Sequence, residues 1–177
     1  MEIFLVFFCI IVLGIIPLIF LIRILGFVYP FLFWGGIDVS TTKEKVKKMV
    51  EFLDIKPGQK AVDLGSGEGR LFIALAKAGA KAYGFEINPF LVSHAKKNIK
   101  EAGLEESAFV SCKNFWHQNL KDFDMVAVFP MAHMMEKLEK KFERELKPQA
   151  KVVINYFKLP TWRPDRAEDD VYLYIKK

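Results

Sequence analysis

Asp63-Leu64-Gly65-Ser66-Gly67-Glu68-Gly69-Arg70 follows the apolar run Lys60-Ala61-Val62 and opens the apolar-periodic stretch Leu71 to Ala78. A strand, a glycine turn and a helix in that order make a nucleotide-binding beginning. Gly65 permits a tight turn that a Cβ would hinder. Gly67 lets a ligand lie against the backbone, and the amides at the start of the new helix face that ligand.

Two details narrow the ligand. The spacing is Gly-x-Gly-x-Gly rather than the Gly-x-Gly-x-x-Gly of dinucleotide binders. Asp63 stands two places before the first glycine, where a carboxylate would repel a pyrophosphate but suits a ligand with a cationic end. S-adenosylmethionine (AdoMet) carries an ammonium and a sulfonium and no phosphate. Glu86 ends the next apolar run, Ala82-Tyr83-Gly84-Phe85, 21 residues after Gly65. A carboxylate there can take both ribose hydroxyls.

Asp63 to Gly69, then Glu86, then Leu146-Lys147-Pro148 ahead of a strand resemble the motifs of class I, seven-β-strand, AdoMet-dependent methyltransferases. The plain alternative is a structural glycine turn in another α/β domain. The resemblance implies that Asp63, Gly65, Ser66, Gly67, Gly69, Glu86 and Asn88 surround AdoMet. It implies that Asn114 meets the adenine, with a loop-turn role as the alternative. Thr41 or Thr42 would touch the methionine end, with helix capping as the simpler role.

The chain has 177 residues, 52% of them hydrophobic, enough for one domain and an extra segment. The hydrophobic excess lies at the N-terminus, where residues 1–37 carry only Glu2 and Arg23 as charges. The net +5 therefore belongs to residues 38–177, an excess that suits an anionic membrane surface or acidic partner and does not argue for nucleic acid. Cys9 and Cys112 are placed against a disulfide, and the three histidines show no metal-ligand spacing.

Ile3 to Ile22 is an apolar run of 20 residues, about 30 Å as a helix, which matches a bilayer core. A cleaved signal would begin with basic residues and have a shorter core. Arg23 closes the run and Lys43, Lys45, Lys47 and Lys48 follow. That bias predicts a single-pass membrane protein with its C-terminal domain on the cytoplasmic face; the mitochondrial inner membrane is the alternative. Tyr29, Phe31, Phe33 and Trp34 are expected as an interfacial anchor. The division is thus 1–37, a transmembrane helix with its anchor, and 38–177, a methyltransferase domain whose partners include the lipid bilayer.

Thr41-x-x-Glu44 has the form of a capping box opening a helix over Lys43 to Leu53. Strands are expected at Lys60–Leu64, Lys81–Glu86, Ala108–Cys112, Asp124–Phe129, Lys151–Tyr156 and Val171–Ile175. Helices are expected at Glu68–Ala78, from Asn88-Pro89 to Gly103, and at Met131–Leu146, with no room for a last crossover helix. This alternation predicts a doubly wound, mainly parallel, Rossmann-like sheet. Its ligand crevice opens between the first and fourth strands, beyond their carboxyl ends.

Phe129-Pro130 should then border the substrate, with Tyr156 and Trp162 as further substrate-side residues. His133 and Tyr156 are base candidates by position only. The Asn-Pro-Pro-Tyr of base and glutamine methyltransferases is absent there.

Phe129-Pro130-x-x-x-Met134-Met135-x-x-Leu138-Glu139-x-Lys141, Glu145-Leu146 and Pro160-x-Trp162-x-Pro164 resemble one subfamily. It is the membrane-anchored protein-lysine methyltransferases, whose eukaryotic members modify the adenine nucleotide translocase and the c-ring protein of ATP synthase. The resemblance implies methylation of a lysine in a membrane-protein substrate, with AdoMet as cofactor and neither nucleic acid nor metal. The alternatives are methylation of a lipid or small amphiphile, or a non-catalytic AdoMet-binding assembly factor.

Overall fold

The glycine turn does fall between a strand and a helix. In chain order the elements are α1 (Lys43–Leu53), β1 (Lys60–Leu64), α2 (Arg70–Lys77), β2 (Lys81–Glu86), α3 (Pro89–Glu101) and β3 (Ala108–Cys112). A 3-10 turn at Phe115–His117, β4 (Met125–Val128), a second 3-10 turn at Ala132–Met134 and α4 (Met135–Glu145) follow, then β5 (Lys151–Asn155), β6 (Arg166–Glu168) and β7 (Val171–Ile175). This computed structural model describes residues 14–21, 23 and 42–177. The chain divides into two compact units, Met1–Val39 and Ser40–Lys177. Of the first unit, residues 16–21 are α-helical and exposed. No helix among the described residues is long and apolar enough to cross a membrane. Most of the expected span over Ile3–Ile22, and all of the expected aromatic anchor, lie outside the described residues.

The sheet runs β3-β2-β1-β4-β5-β7-β6. β1 to β5 are mutually parallel, and β7 is antiparallel to both β5 and β6. The order reverses between β1 and β4, which opens the crevice there. Alternate residues of each central strand enter opposite layers of the core. Ala61, Met125, Ala127, Val153 and Val171 join α1, α2 and α3, through Met49, Phe52, Leu53, Phe72, Leu75 and Ile99. Val62, Leu64, Val126, Val128, Ile154 and Tyr174 join α4 through Met135, Leu138 and Phe142.

Local chemistry sets the ends of the helices. Asn88 caps α3 by accepting from the Phe90 amide at 2.9 Å, with Pro89 at the first turn. α2 and α3 close on Gly79 and Gly103, both in the left-handed region. The Ala80 and Leu104 amides donate back to Leu75 and Ile99, the Schellman arrangement.

Three expectations need correction. Thr41 lies outside the described residues, and the cap of α1 is Thr42, whose hydroxyl accepts from the Lys45 amide at 3.4 Å. Glu44 is then one place too early to complete a capping box. The helix expected from Met131 begins at Met135, because the Met134 amide bonds back to Met131 and closes a 3-10 turn first. The expected last connection holds a third antiparallel partner, β6, whose Arg166, Ala167 and Glu168 are all exposed. With no buried face it shows no apolar alternation, and its charges blunt the sheet edge.

The Pro-rich segment before β6 is pinned from α4. Glu139 is buried, and its Oε1 accepts from the Thr161 and Trp162 amides, both at 2.9 Å. Glu139→Ala leaves both amides without that acceptor and should cost about 1–3 kcal/mol of unfolding free energy. Denaturant melts should show this loss, while the thermal shift induced by S-adenosylhomocysteine keeps its size.

Candidate active site

The turn after β1 is stitched to the end of β2. Gly65, Gly67 and Gly69 have φ of 81°, 53° and 96°, a region where a side chain is strained. The Gly65 and Ser66 amides both donate to the Phe85 carbonyl, at 2.9 and 3.2 Å, and the Gly69 amide donates to the Ser66 carbonyl at 2.9 Å. Glu86 completes the seam. Its Oε2 accepts from the Gly67 amide at 3.0 Å, and its Oε1 accepts from the Ile87 and Asn88 amides at 2.8 Å each. Three of roughly four lone-pair positions are thus filled. A hydroxyl on the ligand can still reach Oε2, while a second one must displace an amide.

Gly84 makes the approach possible, and sequence reasoning missed it. A Cβ there would stand 2.6 Å from Ser66 Oγ and 2.9 Å from the Phe72 ring. The signal was present as a glycine inside an apolar strand, which marks close backbone approach.

Asp63 and Glu86 are both buried. Burial, and next the charge of Glu86, push the Asp63 carboxyl up to about 7, against the pull of the Phe72 amide. No cation of the described chain is among the causes of that shift. The pair therefore favours a cationic ligand, whose charge would return Asp63 to its ionised form. Ser66 Oγ is buried beside them without a hydrogen-bond partner among the described residues. An orphaned hydroxyl, two like-charged carboxyls and a turn of bare backbone fit AdoMet. Asp63 and Ser66 would face its charged end, and Glu86 its hydroxyls.

The other expected residues divide. Asn88 spends its side-chain oxygen on capping α3 and serves the site through its amide on Glu86. Asn114 accepts from the Trp116 amide at 3.0 Å, which is the loop-turn role. Phe129 and Tyr156 come together edge to face, with ring centroids 5.4 Å apart, next to buried Pro130. His133 is exposed in the 3-10 turn after β4. Trp162 is not brought to this group. It packs on the α4 layer, with its indole N–H 3.3 Å from Glu143 and its ring 6.4 Å from Tyr174, whose strand neighbour is Val152 near the start of β5. Its neighbours belong to the opposite layer and the far end of the sheet from the crevice.

The model of the ANTKMT methyltransferase domain family matches residues 63–166, a range that begins at Asp63 and includes both carboxylates. The chain belongs to this family. It is 36% identical over 140 residues to the lysine N-methyltransferase of the ATP synthase c-ring protein from Homo sapiens, covering 77% of this chain and 60% of that one. It is 33% identical over 147 residues to a protein-lysine N-methyltransferase of Saccharolobus islandicus, covering 77% of this chain and 91% of that one. The chain thus spans about six-tenths of the human relative's length and nine-tenths of the other. A solved structure from Salinibacter ruber, described as an RNA methyltransferase, superposes with a TM-score of 0.74 at 32% identity, covering 77% of this chain and 93% of that one. It holds S-adenosyl-L-homocysteine, so the fold is the Rossmann-like methyltransferase fold and the family's cofactor is AdoMet.

Asp63 ionises only above about pH 7 in the free site, so affinity for the cationic ligand should weaken about tenfold per pH unit below 7. S-adenosylhomocysteine lacks the sulfonium but keeps the ammonium, so calorimetric titration with it between pH 6 and 8 measures this, and Asp63→Asn should abolish the slope while weakening binding at pH 8. The raised pKa also makes Asp63 a burden on the free fold. A carboxyl of the unfolded chain ionises near about 4, while the folded one keeps its proton to about 7, so stability is lost as pH rises from about 4 to about 7 and the full penalty stands above that. Asp63→Asn should therefore raise ligand-free stability at pH 8, by about 2–4 kcal/mol. Gly84→Ala should weaken ligand binding at least about tenfold in the same titration, since Ser66 and Phe72 must give way.

Proposed function

We propose that this chain transfers methyl groups from AdoMet to a lysine side chain of a membrane protein, held at the bilayer by its apolar N-terminal segment. The observation that carries the reading is the pair of buried carboxylates at the glycine turn, set opposite the aromatic doorway of Phe129 and Tyr156. The lysine assignment takes its support from relatives described as lysine N-methyltransferases, one of them acting on the c-ring protein of ATP synthase by its name. AdoMet supplies a methyl on a sulfonium: the amine lone pair takes the methyl carbon, the C–S electron pair returns to sulfur, and the surplus proton on nitrogen leaves to water.

The chain's own residues have two further tasks. A lysine must arrive without its proton, and an apolar doorway disfavours the ammonium. Phe129, Pro130, Met131 and Tyr156 supply such a doorway. Aromatic faces also hold cations, and the Tyr156 ring already has the Lys45 ammonium 4.9 Å from its centroid.

The rim of the crevice supports the membrane part of the reading. Ile87 and Phe90 after β2, Met131 after β4, and Tyr156 and Phe157 after β5 are all exposed. They share the edge at the carboxyl ends of the parallel strands. α1 runs down from that edge, since Lys45 in its first turn reaches Tyr156. An apolar rim of this kind suits a lipid surface or a protein embedded in one.

Labelled AdoMet, the purified full chain, and separated membrane-protein, lipid and RNA fractions test the proposal, with the isolated c-ring protein of ATP synthase as a defined acceptor. Label should appear on lysine of a discrete membrane protein and fall at least about a hundredfold with Glu86→Ala, as expected when an electrostatic site is lost. Label confined to the lipid or the RNA fraction would replace the lysine reading. Alkaline washing should leave the full chain with membranes and release a chain that starts at Asp38.

A further inference from the structure

The end of β5 carries a polar group that the cofactor crevice leaves unused. Asn155 is 1% exposed, and among the described residues neither its Oδ1 nor its Nδ2 has a hydrogen-bond partner. A buried polar group in that state costs about 1–3 kcal/mol, so native proteins rarely keep one without a use. The surrounding backbone is engaged. The Asn155 carbonyl accepts from the Phe157 amide at 3.0 Å, and the Tyr156 amide donates to the Asp170 carbonyl at 2.7 Å. Among the described residues only the side chain is left without a partner.

Strand register gives its direction. Asp63 pairs with Ala127 across β1 and β4, and Ala127 pairs with Val153 across β4 and β5. Asn155 is two residues beyond Val153, so it keeps the face of Asp63, one step nearer the crevice mouth. Phe129-Pro130-Met131, which follow β4 into the same mouth, offer no oxygen or nitrogen on a side chain. Asn155 is therefore the polar side chain that the neighbouring strand end supplies.

The next residue is held under strain. Tyr156 has φ of 69°, and the Asn155–Phe157 bond closes a three-residue turn around it. Such a turn is unfavourable for a non-glycine residue, by about 1 kcal/mol or more. The Tyr156 ring stands out against Phe129, one residue along the chain from the buried carboxamide.

We propose that Asn155 Oδ1 accepts an N–H of the amine that receives the methyl group, and that the Phe129–Tyr156 pair forms the way in. This rests on the amine reading above. A neutral amine has two N–H donors and one lone pair, and engaging a donor fixes where the lone pair points. A carboxamide suits this task better than a carboxylate. A negative charge would stabilise the ammonium and keep the proton on nitrogen, whereas the neutral oxygen accepts from the free amine without that penalty. The residue touches the substrate and so counts as catalytic.

The test uses the ¹⁵N-labelled full chain in detergent, loaded with S-adenosylhomocysteine. The probe is n-butylamine, a short stand-in for a lysine side chain; n-butyltrimethylammonium, which has no N–H, is the control. The Asn155 carboxamide resonance, assigned as the one absent from Asn155→Leu, should shift saturably with n-butylamine and not with the control. No shift, or equal shifts with both, overturns the proposal. In labelled-methyl transfer, Asn155→Leu should lose about a hundredfold in kcat/KM while its thermal shift with S-adenosylhomocysteine stays unchanged. Asn155→Asp should move the rising limb of the pH–rate profile up by about one pH unit or more. A leucine variant within threefold of the parent, or an unmoved limb in the aspartate variant, overturns the proposal. Failure of the lysine reading itself would look different: the parent would place its label on lipid or RNA rather than lysine.

Discussion

Glu86 holds three backbone amides at once, from Gly67 in the turn after β1 and from Ile87 and Asn88 after β2. One carboxylate thereby sets the shape of the cofactor turn and the start of α3. Its charge has a second consequence, because it stands in the same buried pocket as Asp63 and raises that group's pKa. Two like charges are tolerated where the fold needs one for the backbone and the ligand needs the other. The penalty on the Asp63 carboxylate, from burial first and from Glu86 next, is relieved when a cation arrives beside it. The ordinary conflict between stability and binding at a site is here confined to two side chains.

The first half of the domain was legible because its signals are local. The runs Lys60–Leu64, Lys81–Glu86 and Ala108–Cys112 coincide with β1, β2 and β3, since each is an apolar stretch bounded by Gly, Pro or polar residues. Asp63 and Glu86 could be paired by spacing alone, because a short crossover brings neighbouring strand ends together. Asn155 could not. It meets the crevice only through register across β4 and β5, which the sequence pattern does not encode, and at the end of an apolar run it looks like a turn residue. Trp162 failed for the converse reason. Its proline-flanked position gives no sign of where it packs, and two amide bonds to Glu139 draw the segment onto α4.

Those bonds bear on how family likeness should be weighed. Much of the C-terminal pattern that carries the subfamily resemblance is scaffold. Glu139 holds the segment at Thr161 and Trp162. Lys141 is buried and donates to the Gln118 carbonyl at 2.6 Å and to Glu145 at 2.6 Å. It fixes the loop after β3 to α4. Buried ions of this kind are costly to break once formed, so residues placed this way mark a shared architecture more directly than a shared substrate. The crevice itself lies at the carboxyl ends of the strands.

At those ends the crevice separates its polar chemistry by charge. Buried ionisable groups stand on the β1 and β2 side, where the ligand is cationic. The β4 and β5 side offers aromatic rings, proline, methionine and one neutral carboxamide, with the Lys45 ammonium over the Tyr156 ring. A carboxylate on that second side would hold a lysine as its ammonium, which has no lone pair to give. A wholly apolar wall would admit the neutral amine but leave its orientation free. An amide without a partner among the described residues, in an aromatic surround, avoids both faults, and it does so at the cost of burying a polar group.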